Sequence, residues 1–220
     1  MQGTHPFRRL VAALAAMLLL AGCSSAYYGA MEKLGIEKRD ILVDRVEDSR
    51  DAQEEAKRQF ESALQQFIAA TDFKGGELEK VYDRLKSEYD ASLDRAEAVR
   101  KRIAGVEKVA EDLFAEWEEE LALYKDPQLR RGSARQLADT KARYRQLIRA
   151  MRAAEKRMDP VLAAFQDRVL YLKHNLNARA IASLRADRAE IESDIAALVN
   201  EMNQSIAEAN RFISEMQAEK

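Results

Sequence analysis

From Glu77 to Lys125 the chain places an apolar or small residue every three or four positions. The series runs Leu78, Tyr82, Leu85, Tyr89, Leu93, Ala96, Val99, Ile103, Val106, Ala110, Leu113, Trp117, Leu121 and Tyr124. Its spacing averages about 3.5 residues, the repeat of a coiled-coil seam, and a strand cannot keep that period. A helix over this stretch would be on the order of 70 Å long at about 1.5 Å per residue. The same seam returns at Ile191, Ile195, Leu198, Met202, Ile206, Ala209, Ile213 and Met216. Residues that break helices are scarce: after residue 36 there remain only Gly75, Gly76, Gly105, Gly132, Pro127 and Pro160. Abundant Ala, Glu, Arg, Lys and Leu fill the rest, so the fold class is all-α. The expected architecture is an elongated antiparallel bundle of three to four long helices with coiled-coil character.

The breakers place the turns. A first helical pattern runs from Glu37 to about Thr71, and "TDFKGGE" supplies a turn whose paired glycines can take left-handed backbone angles. "KDPQLRRGS" makes a second break at Pro127–Gly132, with Ser133 as a candidate N-cap for the next helix. Gly105 lies off the seam and is expected inside its helix. Pro160 either kinks a continuous helix or opens a new one at its first position. One rod from Ser133 to Lys220 would overshoot its partners, whereas a reversal near "KHNLNAR" would match lengths. Asn175 or Asn177 could supply the left-handed residue there. The first helix has a thin core, because between Val46 and Phe60 only Ala52 and Ala56 are apolar.

Charge argues separately for a hairpin around residues 126–132. Glu107 to Asp126 holds eight acids and two bases, and Arg130 to Arg157 holds ten bases and two acids. Folded back on one another, these blocks bring Glu116 near Arg143 and Asp112 near Arg149. Exposed pairs of this kind contribute a few tenths of a kcal/mol each, but as a block they select partner and orientation.

The first 36 residues have a different character. Met1 to Arg9 is polar and ends in two cations, and Leu10 to Ala21 is twelve residues without a charge. A bilayer span needs about 20 apolar residues, so this run fits a secretory signal peptide over residues 1–22 better than a transmembrane helix. "LAGC", Leu20 to Cys23, resembles the bacterial lipobox, whose cysteine is acylated and becomes the first residue of the mature chain. The alternative is an ordinary signal followed by a chance cysteine. Because Ser24 is not aspartate, the resemblance implies sorting to the outer membrane, on its periplasmic face. Cys23 is the chain's one cysteine. With Cys23 acylated, the mature chain has neither a free thiol nor a disulfide. Residues 23–36 then read as a lipidated tether and residues 37–220 as the helical body. The sequence carries 36 basic and 38 acidic side chains, and loss of Arg8 and Arg9 with residues 1–22 brings the balance to −4. That balance gives no broad footprint for nucleic acid.

The body offers little chemistry. Its one histidine, His174, has no cysteine to pair with, and no Gly-x-Ser-x-Gly elbow or phosphate-cradling loop is present. No catalytic residue, metal ligand or cofactor site is therefore assigned. The densest polar cluster is "LKHNLNARA", where His174, Asn175 and Asn177 are candidates for a polar network, a turn or a ligand site.

Four blocks carry a resemblance: "YYGAMEKLGIEKRDILVDRVEDSRDAQEEAKRQF", "DLFAEWEEEL", "MDPVLAAFQDRVLYLKHNLNARAIASL" and "SIAEANRFI". Together they resemble the Gram-negative lipoproteins grouped as domain of unknown function twenty-nine fifty-nine. The resemblance implies a helical, lipid-anchored envelope protein and transfers no catalytic residue. The resulting expectation is a non-enzymatic structural or adaptor lipoprotein, joined to the membrane through acylated Cys23 and to envelope proteins through its helices. Lipid binding or membrane shaping is the alternative, and a homo-oligomer is left open. Arg130, Arg131 and Arg135, at the end of the second helix nearest the anchor, are candidates for contact with lipid headgroups, the alternative being that they only pair with the preceding acidic block.

Overall fold

A computed structural model describes residues 38–73 and 75–218 of the 220-residue chain. Of these residues 92% are helical. Five helices follow one another: α1 Lys38–Thr71, α2 Leu78–Leu121, α3 Pro127–His174, α4 Ala178–Ala186 and α5 Arg188–Ala218. Four are long and α4 has nine residues. Residues 43–220 form one compact unit; of the other unit, residues 1–42, only the helical stretch from Lys38 to Leu42 is described.

The connections follow local chemistry. Gly75 and Gly76 sit at φ +143° and +127°, where a side chain would be strained, so the α1–α2 turn needs both glycines. The second break differs from expectation. Helix α3 starts at Pro127, because the Asp126 carboxylate accepts hydrogen bonds from the backbone N–H groups of Gln128 and Leu129 and Pro127 occupies the first turn. The turn is therefore 122–126. Gly132 and Ser133 lie inside the helix, and Ser133 Oγ accepts instead from Trp117 Nε1 at 2.8 Å. Pro160 is also inside α3, which continues through it to His174.

At the third break no residue takes the left-handed conformation expected of an asparagine; Asn175 has φ −136°. Asn175 ends α3, its side-chain amide donating to the Tyr171 carbonyl, and Asn177 starts α4 by accepting from the N–H groups of Arg179 and Ala180. The Arg185 guanidinium donates twice to the Thr71 carbonyl, at 2.8 and 3.1 Å, and so completes the C-terminus of α1 from α4.

Cross-helix pairs define the register. Between α2 and α3 they are Arg100–Asp159, Glu107–Arg152 and Glu118–Lys141, each step forward on α2 matched by one back on α3. That is the register of the expected Glu116–Arg143 alignment. The expected Asp112–Arg149 pair does not form as such: Asp112 binds Lys108 on its own helix. Glu55–Arg95 and Asp48–Arg102 join α1 to α2. Arg157–Asp194 and Arg143–Glu215 join α3 to α5, and Lys57–Asn203 and Arg50–Asn210 join α1 to α5. Phe67 meets Phe165 across the interior with ring centroids 5.7 Å apart.

The interior largely matches the seams. All eight α5 positions expected from spacing are buried. In α2 the seam holds from Ala96 to Leu113, but nearer the start Val81 and Ser92 are buried while Leu93 is 36% exposed. Ser92 is accommodated because its hydroxyl donates to the Glu88 carbonyl at 2.7 Å. Gly105 is within α2, and a Cβ there would touch nothing within 4 Å. The thin stretch of α1 is not a gap. Ser49, Gln53 and Ala56 are all fully buried between Val46 and Phe60. Ser49 Oγ donates to Met151 Sδ, and Gln53 Nε2 donates to the Ser49 carbonyl, leaving Gln53 Oε1 without a partner among the described residues.

Candidate functional surfaces

Exposed apolar side chains gather at the two ends of α3. Large hydrophobic residues at the α2–α3 turn are Leu123, Tyr124 and Leu129, exposed by 77, 41 and 62%. At the far end of α3 stand Leu170, Tyr171 and Leu176. Of the large exposed hydrophobics among the described residues, Leu93 alone belongs to neither group.

The first cluster is built by the hairpin. Every residue from Ala122 to Arg131 is exposed, the longest such run among the described residues. Behind this crest the two helices are tied by Trp117–Ser133, by Glu118–Lys141 and by Phe114 packed edge-on against Tyr144 at 5.4 Å. Lys141 also lies over the Phe114 ring at 5.4 Å. Burial, then Glu107, pushes the Tyr144 hydroxyl up to about 12. The three arginines singled out in the sequence, Arg130, Arg131 and Arg135, are all exposed here. Neither they nor Lys125 form an ion pair among the described residues. The only carboxylate between Ala122 and Arg135 is Asp126, which is engaged as the α3 cap. Glu119 and Glu120 stand exposed on the last turn of α2.

At the second cluster His174, Asn175 and Asn177 are brought within one turn, but no hydrogen bond among the described residues joins their side chains. Both asparagines serve the adjacent helix ends, and His174 is exposed. Lys173 and Arg179 are exposed beside Leu170, Tyr171 and Leu176. A cavity of about 330 Å³ lies against the Gly75-Gly76 turn, walled by Phe73, Leu78, Ile181 and Arg185, whose guanidinium is held by Thr71. Cys23, with the signal peptide and tether, lies outside the described residues.

Spacing alone missed the apolar crest. Tyr124 continues the α2 seam on paper, yet the helix ends at Leu121 and leaves it outside the packed region. The signal that could have found it is Asp126-Pro127, a cap followed by proline at the first helical position, which fixes the turn before rather than after Pro127.

Among the described residues no helix is long and apolar enough to cross a membrane, and no group of three or more His, Cys, Asp or Glu could hold a metal ion. No curated protein and no solved structure matches the chain. A family model does, the one described as Protein of unknown function (DUF2959), over residues 27–216. With nearly the whole helical body inside that match, the chain belongs to this family.

Proposed function

We propose that this protein is a non-enzymatic structural or adaptor lipoprotein of the cell envelope. It is anchored through acylated Cys23 to the periplasmic face of the outer membrane. Its body is an antiparallel bundle of four long helices with coiled-coil character, a reading supported by ion pairs that run in opposite order on α1 and α2, α2 and α3, and α3 and α5.

The observation that carries the adaptor reading is the placing of exposed Leu and Tyr side chains at both ends of α3, each group beside cations that have no ion-pair partner among the described residues. A 48-residue helix holds such groups about 70 Å apart. Two separated contact surfaces on one stiff element suit a protein that joins neighbours. A photoreactive residue at Leu176 should capture a defined protein neighbour in intact cells, and one at the exposed Lys101 should not. Equal capture from both positions would remove the adaptor reading. Anchoring has its own test: radiolabelled palmitate should enter the protein and be lost in Cys23→Ser. A second reading, lipid binding by the body itself, is favoured by the chemistry of the α2–α3 crest.

A further inference from the structure

We infer that the α2–α3 turn is a docking tip for an anionic phospholipid surface, with Leu123, Tyr124 and Leu129 entering the interface and Arg130, Arg131 and Arg135 meeting the phosphates. This inference rests on the lipid-anchored reading for the nearness of a bilayer. Tracing α1 back from Glu55 to Asp48 runs parallel to tracing α2 forward from Arg95 to Arg102, so within residues 43–220 the turn beyond Leu121 lies toward the Val43 end of α1.

Three features favour lipid over a protein groove. The crest is a convex run of ten exposed residues, with two leucines more than half exposed and a tyrosine beside them. Such side chains with a cationic collar fit a headgroup boundary, where apolar tips enter and the charged heads of long side chains stay at the phosphates. The collar is available: Lys125, Arg130, Arg131 and Arg135 have no ion-pair partner among the described residues. Two of the acids nearby are occupied, Asp126 by capping and Glu118 by Lys141. Glu119 and Glu120, a few residues behind the crest on α2, offset part of the attraction. Docking is therefore sensitive to salt and to each arginine.

The test uses the mature chain, residues 23–220, carrying Cys23→Ser and Leu123→Cys, so that the one thiol reports on the tip through an environment-sensitive dye. Vesicles of phosphatidylcholine alone are compared with vesicles also containing phosphatidylglycerol. The dye should shift to the blue only with the anionic vesicles, and less as salt rises. Each basic residue near such a surface is worth about five-fold in binding. Changing Arg130, Arg131 and Arg135 to Gln together should lower the binding constant for insertion on the order of a hundred-fold. Lys101→Gln with Arg149→Gln should leave it unchanged. If the triple variant loses helix by circular dichroism, Arg131→Gln alone should still give about a five-fold loss. An equal shift on neutral vesicles, or none on anionic ones, overturns the inference. So does a shift that needs membranes bearing protein, which would assign the tip to a protein partner. Because Cys23 is absent throughout, failure here is separate from failure of the lipid anchor.

Discussion

Gln53 sits where a bundle helix would ordinarily carry leucine, and replacing it should raise stability. Its side chain is fully buried, its amide nitrogen makes one long hydrogen bond of 3.3 Å to the Ser49 carbonyl, and its Oε1 has no partner among the described residues. An unsatisfied buried acceptor costs about 1–3 kcal/mol, and a hydrogen bond near the distance limit returns at the low end of about 0.5–1.5 kcal/mol. Gln53→Leu removes both. The Ser49 carbonyl keeps its place in the helical ladder, so the substitution creates no new orphan. Leucine is of similar size and is not expected to strain the site. The net expectation is a gain of about 1 kcal/mol, or roughly 2–4 °C in Tm for a domain of this size. Urea and thermal unfolding followed by helical ellipticity at 222 nm would measure it, with Gln53→Ala as the contrast that opens a cavity. A loss of 1 kcal/mol or more in Gln53→Leu would mean that Oε1 has a partner, such as an internal water, and would refute the reasoning.

Phe60→Ala, at a position 1% exposed, should cost about 3–5 kcal/mol, read as a lower urea midpoint with an unchanged slope. Asp126→Ala removes the cap on Gln128 and Leu129 and should cost about 1 kcal/mol, with faster amide exchange confined to the start of α3. In an alkaline titration at 295 nm, Tyr144 should ionise near 12, and Tyr144→Phe should delete that late step. Because the folded value is raised, the stability linked to Tyr144 is fully present below about pH 10 and is lost as pH climbs through about 12.

The parts of the fold that could be read from the residues are those where burial and hydrophobicity coincide. Ile191 through Met216 is such a case, since every seam position carries an apolar side chain and every one is buried. The Gly75-Gly76 turn is another, because its backbone angles demand glycine. Reading failed where a polar residue solves a packing problem. Ser49, Gln53 and Ser92 line the interior because two of them return hydrogen bonds to their own helix and the third finds a sulfur. A scan for apolar periodicity sees only a thin core there. The crest was half legible. The arginines could be named from charge alone, whereas the exposure of Leu123 and Leu129 depends on where α2 stops and α3 starts. Two asparagines and a histidine close together are open to a network, a turn or a ligand site, and each asparagine meets the nearer need of a helix end.

The open turn at 122–126 has a consequence for how the chain could be divided. A cut there severs no helix, leaving one fragment with α1 and α2 and another with α3, α4 and α5. Each is a helical hairpin with one oily face bare, and the surface that would reunite them includes Val99, Ile103 and Val106 from one side and Leu147, Met151 and Met158 from the other. Exposed loop tips of this kind tolerate nicking, insertion and permutation. Two separately expressed halves should thus find each other and rebuild the core, and a guest domain could be carried at the join.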